Sequence, residues 1–145
     1  MLINLLYGLP AMGACLLLQS LLVIAAFRYY AHRRPSVRQS SFWPTMRVIN
    51  GVMLILVIGN IAQVAIWALL NLFLGEFSMF GDAVYHSAVN FTTLGYGDII
   101  MSEKHRLLGP LEAINGVLMI GVSTAVLMAF FQDAMKKTFL ARRKK

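Results

Sequence analysis

Three long stretches of the chain are almost free of charge, and their placement organises the rest. Residues 2–27 and 48–75 carry no charged side chain, and residues 107–132 carry only Glu112. A bilayer core needs about 20 consecutive apolar residues in helical form to be crossed, so each stretch predicts a spanning helix. Residues 76–106, between the second and third, are too polar to span. From Phe77 to Leu94 they are also too apolar for a solvated loop. Asp82–Thr92 reads as a short helix, with Asp82 near its N-terminus, where a carboxylate meets unpaired amides and the positive end of the dipole. At ~1.5 Å per residue such a helix reaches about half the hydrocarbon thickness. A half-helix followed by the Gly-x-Gly of Gly95–Gly97 reads as a re-entrant loop.

Composition supports a membrane as solvent: of 145 residues, 59% are hydrophobic and 13% charged, and mean hydropathy is +0.70. An ordinary soluble domain of this length is excluded. A net charge of +7 could suggest a nucleic-acid partner, but its distribution follows membrane topology instead. Arg28, Arg33, Arg34, Arg38 and Arg47 lie between the first two spans, and Lys136, Lys137, Arg142, Arg143, Lys144 and Lys145 follow the third. The remaining Lys104 and Arg106 share the opposite loop with Glu76, Asp82, Asp98 and Glu103. The positive-inside rule places residues 28–47 and the tail in the cytoplasm and the N-terminus outside. A secretory signal peptide would put its basic residues before the apolar run; here they come after it. Cys15, inside the first apolar run, reads as a small buried hydrophobe. Pro10 and Gly13 could bend the first helix. The basic connector carries Tyr29, Tyr30, Phe42 and Trp43, a mixture suited to the headgroup layer, and Pro44 is placed to start the second span.

The segment Thr92–Asp98, TTLGYGD, carries the chemistry. Successive main-chain carbonyls can face one axis only if some residues adopt backbone angles that a Cβ disfavours, which accounts for Gly95 and Gly97. The Thr93 hydroxyl can add a further oxygen. Leu94 contributes a carbonyl while its side chain packs outward, and Tyr96 points away from the axis to wedge the strand against the half-helix.

TTLGYGD, the preceding YHSAVNF and the later GPLEAINGVLMIGVSTA resemble the pore domain of the potassium channel family, especially its small bacterial members, over residues 47–134. Potassium channels are the reference case for such a filter, whose carbonyls replace the hydration shell of the ion. The resemblance implies an all-α membrane protein with three transmembrane helices, a pore helix and a selectivity-filter loop, assembled as a homotetrameric pore. It implies an outer helix at 47–75, a pore helix at 82–92, a filter at 93–98 and an inner helix at 107–133. Residues 1–30 are then an additional helix, 31–46 a basic cytoplasmic or interfacial linker and 135–145 a basic cytoplasmic tail. Potassium would be coordinated at Thr93, Leu94, Gly95 and Tyr96, with Gly97 completing the filter; Thr92, Asp98, Tyr85 and Glu112 would support it.

Asp98 would concentrate cations at the outer mouth and bond behind the filter with Tyr85. Pore-helix C-termini would favour a cation in a cavity below. Gly121 resembles a glycine hinge of the inner helix, with Gly116 competing for that role, while close packing is the commoner use of a membrane glycine. Glu112, an ionisable residue at membrane depth, either snorkels to the interface or accepts hydrogen bonds from Asn90 and His86. His86 and His105 are candidates for pH sensing. One departure stands out: many relatives place a proline soon after the filter aspartate, whereas Ile99–Met101 follow here.

The expected function is passive, selective potassium flux across a cell membrane by a multi-pass subunit. The alternatives are a weakly selective cation channel and a non-conducting subunit that modulates a partner. No enzyme chemistry and no tightly bound cofactor are expected; potassium is the permeant ligand. The expected partners are three further copies and the bilayer, including anionic lipids at the tail, with no nucleic acid and a regulatory partner left open.

Overall fold

The computed structural model describes residues 2–33 and 42–143, with side chains for 2–33 and 43–136. The described residues form four helices: α1 (Leu2–Arg33), α2 (Phe42–Phe73), α3 (Phe80–Phe91) and α4 (Leu108–Arg143), with no strand among them. α1, α2 and α4 are each long and apolar enough to cross a membrane. Helix is the form that lets a single segment satisfy its own backbone in lipid, so the charge-free runs become helices whatever their local propensities.

The helices run past the limits the charge pattern suggested. α1 continues through Tyr29 and Tyr30 to Arg33, and Pro10 sits inside it without ending it. α2 starts at Phe42, which places Pro44 in its first turn, where a missing amide costs nothing. α4 continues to Arg143, so the expected tail begins as helix. The expected roles of Arg34, Arg38, the Phe42 ring and the side chains from Lys137 onward lie outside the described residues.

α1 does not stand apart from the other helices; it packs on both α2 and α4. One apolar cluster joins Ala11 and Cys15 of α1 to Val64 and Trp67 of α2, Phe91 of α3, and Leu108 and Met119 of α4. A second, nearer the other end, joins Ala26 and Tyr30 to Val48, Val52, Leu56 and Phe130. Tyr30 is a packed residue: its ring stacks on Phe130 at 4.6 Å, and its hydroxyl donates to Asp133 Oδ2 at 2.8 Å. Trp43, by contrast, is exposed. Cys15 is buried, as a small hydrophobe would be.

Candidate functional site: the loop behind α3

α3 begins at Phe80, with Asp82 in its first turn, and is 12 residues long. Its C-terminus sets the geometry of the loop that follows. The Thr93 amide donates to the Asn90 carbonyl at 2.9 Å and the Leu94 amide to the Val89 carbonyl at 2.9 Å. This is a Schellman stop, in which the residue after the cap adopts a left-handed conformation. Glycine is the usual occupant of that position; here it is Thr93, with φ +59°. A β-branched residue in that region is an outlier and costs roughly 1–2 kcal/mol. The Ala88 carbonyl accepts from both the amide of Thr92, at 3.1 Å, and its hydroxyl, at 2.7 Å.

The strain continues in alternation. Gly95 has φ +60° and Gly97 φ +73°, while Leu94 and Tyr96 between them have no positive φ. The amides of Thr93, Leu94 and Gly95 all donate back to carbonyls at the end of α3, the last of them to Val89 at 3.4 Å, so these N–H groups are turned toward the helix. Thr93, Leu94, Gly95, Tyr96 and Gly97 are all exposed in the single chain. The Thr93 hydroxyl donates to the Thr92 carbonyl at 2.6 Å.

Behind this strand, the Tyr85 hydroxyl donates to Asp98 Oδ2 at 2.7 Å. That bond holds the Asp98 carboxyl below the usual carboxylate range and raises the Tyr85 phenol. A cavity of about 450 Å³ lies between the strand at Gly95 and Gly97, the α3 residues His86 and Asn90, and Met101 and Pro110 beyond it.

Glu112 is fully buried and does not snorkel. Its polar neighbours are Ser87, Asn90 and Asn71, with neither carboxyl oxygen in hydrogen-bond geometry to a partner. His86 is not its partner: the His86 ring lies 4.9 Å from that of Phe77, and its Nε2 is 3.1 Å from Asn90 Nδ2. Asn71 of α2, which the sequence did not single out, donates to Ser87 Oγ at 3.1 Å and so ties the outer face of α3 to α2. Polar residues inside a charge-free span were the available signal for it.

The two inner-helix glycines differ. A Cβ at Gly116 would collide with the Phe91 carbonyl oxygen and would lie 2.7 Å from its carbon. Gly116 therefore serves the close crossing of α4 over the end of α3. At Gly121 a Cβ would meet nothing within 4 Å, and α4 runs through it without interruption.

Glu76 clamps the loop after α2 to the loop before α4. It accepts from the Ser102 amide and hydroxyl, both at 2.7 Å, and from His105 Nδ1 at 2.6 Å. Burial alone would raise the Glu76 carboxyl, but the bonds from Ser102 and His105 outweigh it and hold the group below its ordinary value.

Three apolar helices, with a half-helix and an alternately strained loop inserted between the last two, define a helical membrane channel. Residues 52–133, more than half of the chain, match the family profile described as Ion channel; the chain belongs to that family. No curated protein and no solved structure matches it.

Proposed function

We propose that the protein is a potassium-selective channel subunit that works as a homotetramer and passes potassium passively down its gradient. The observation that carries this reading is the alternation of left-handed backbone at Thr93, Gly95 and Gly97 with ordinary backbone at Leu94 and Tyr96. Left-handed backbone at a β-branched residue such as Thr93 is strain of the kind that clusters at functional sites, and in this reading the alternation turns consecutive carbonyls to one side. Four such strands about an axis supply rings of oxygen from Thr93, Leu94, Gly95 and Tyr96 that replace the water shed by the ion. One chain supplies a quarter of each ring, in keeping with the exposure of the whole strand.

Around this centre the supporting roles fall to neighbours already in place. Thr92 caps α3, Asp98 held by Tyr85 puts negative charge at the outer mouth, and Glu112 lies buried behind α3. The basic residues from Arg28 to Arg47 and from Lys136 to Lys145 put those ends in the cytoplasm and the N-terminus outside, with anionic lipid beside them.

Potassium efflux from liposomes carrying the purified protein, with Gly95→Ala as control, tests the reading. Rapid efflux that the substitution abolishes is expected. Equal sodium and potassium efflux would point to a weakly selective pore, and silence to a subunit that does not conduct.

A further inference from the structure

α1 lies outside residues 52–133, the part that matches the family, yet its polar side chains reach into that part at three levels. Near the outer end, Asn4 Nδ2 donates to the Lys104 carbonyl at 3.0 Å, and Gly8 lies so close to α4 that a Cβ there would be 2.7 Å from Leu111. In mid-membrane, Gln19 Nε2 donates to Ser123 Oγ of α4 at 3.0 Å, while Gln63 Nε2 of α2 donates to Gln19 Oε1 at 2.7 Å. Towards the other end come the Tyr30–Asp133 bond and the packing of Phe27 and Tyr30 on Phe130, at 4.7 and 4.6 Å.

These attachments straddle Gly121. Above it, α4 is fixed by α1 at Leu108 and Leu111 and by α3 at Gly116; below it, by α1 at Ser123, Phe130 and Asp133. Gly121 itself is unobstructed, and a helix yields most readily where a glycine removes side-chain packing. A helix gripped by one rigid neighbour on both sides of its weakest point cannot bend there without breaking one set of grips. The mid-membrane set is the most specific. Gln19, Gln63 and Ser123 are 3%, 0% and 7% exposed, so a broken amide bond there finds no water to replace it.

We infer that α1 is a splint on the inner helix, and that Gln19, bonded to both Gln63 and Ser123, is a positioning residue that holds α4 unbent across Gly121. The inference rests on the channel reading above: release of the splint favours the bent inner helix and thus the open pore. A membrane interhelical hydrogen bond of average strength corresponds to about a threefold change in equilibrium per altered subunit, or about 80-fold for a concerted gate of four.

The test is single-channel recording of the purified full chain in planar bilayers, for wild type, Gln19→Leu, Ser123→Ala, the two combined, and Ser123→Thr. Gln19→Leu and Ser123→Ala should each shift the closed–open equilibrium toward open by that factor, read as a higher open probability. The combined variant should add nothing to either, Ser123→Thr should restore wild-type gating through its hydroxyl, and the reversal potential should stay constant throughout. Unchanged gating, additive shifts, or Ser123→Thr behaving as Ser123→Ala would overturn the splint while leaving the potassium reading intact. Amide exchange of residues 121–133 on the same samples decides the matter independently of conduction. Faster exchange in Gln19→Leu and Ser123→Ala, with Ser123→Thr like wild type, supports the splint even in a silent protein; equal exchange in all of them refutes it.

Discussion

The polar groups of this protein fall into two regions that obey opposite rules. The seam formed by Gln19, Gln63, Ser123, Asn71 and Ser87 is enclosed within one chain, and its hydrogen bonds join different helices. The strand Thr93–Gly97 is exposed, holds left-handed backbone at every second residue and lends most of its oxygens to no neighbour. The seam shows what a single chain does with polar atoms in an apolar medium: it pairs them or encloses them. The strand breaks that rule: its residues stay exposed in the single chain. Among the described residues, left-handed backbone at a non-glycine position occurs at Thr93, and that strain in an exposed run of main chain sets the strand apart from the helices.

If that contrast is correct, Gly95→Ala should be the most damaging single change in the strand. An alanine held at φ +60° costs about 1–2 kcal/mol per chain, repeated in every subunit of a ring. Selective flux should vanish while helical content by circular dichroism stays the same, because the helices do not depend on the strand. A loss of helix in this variant would mean that strand and framework are not separate.

The glycines of α4 sharpen the comparison. Gly116→Ala drives a methyl group into the Phe91 main chain and should destabilise the protein by about 1–3 kcal/mol, seen as a lower melting temperature. Gly121→Ala meets no obstacle and stiffens the helix by up to about 1 kcal/mol. It should shift the gating equilibrium toward closed by about fivefold per altered subunit without lowering the melting temperature; unaltered gating would remove Gly121 from consideration as the hinge.

Smaller effects are expected in the loops that flank α3. Tyr85→Phe removes the bond that stabilises the ionised form of Asp98, so the carboxyl should titrate at a higher pH than in wild type. The acid midpoint of the current should move upward with it. Glu76 gives the reverse view of the same chemistry. Its carboxyl lies below the ordinary value, so the clamp to Ser102 and His105 contributes fully above the ordinary carboxylate range and is lost as pH falls through the lowered one. Melting temperature should hold from neutral pH down to that range and decline only below it, and Glu76→Gln should flatten the decline.

The fold was largely legible because charge is so costly in a bilayer. The run 2–27 lies within α1, the runs 48–75 and 107–132 lie within α2 and α4 apart from residues 74–75 and 107, and the segment between the last two holds the short helix that Asp82 and its apolar neighbours suggested. The docking of α1 was not legible. In a helix apolar on every side no stripe marks the contact face, and Gln19, Gln63 and Asn71 were single polar letters in long apolar runs. Glycine at 95 and 97 announced unusual backbone, but Thr93 did not, since the Schellman stop that imposes its conformation is a property of the end of α3 and not of threonine. Gly116 and Gly121 are identical letters; only the position of Phe91 tells them apart. Glu112 was legible as a residue of interest, but its burial depends on how Asn71, Ser87 and Asn90 converge from two other helices.

The decisive measurement is the reversal potential of single channels formed by the purified protein between a potassium solution and a sodium solution. The account predicts a potential close to that set by potassium alone, unchanged when sodium is replaced by a larger inert cation. A potential near zero would show that the strand does not select potassium and would contradict the account at its centre.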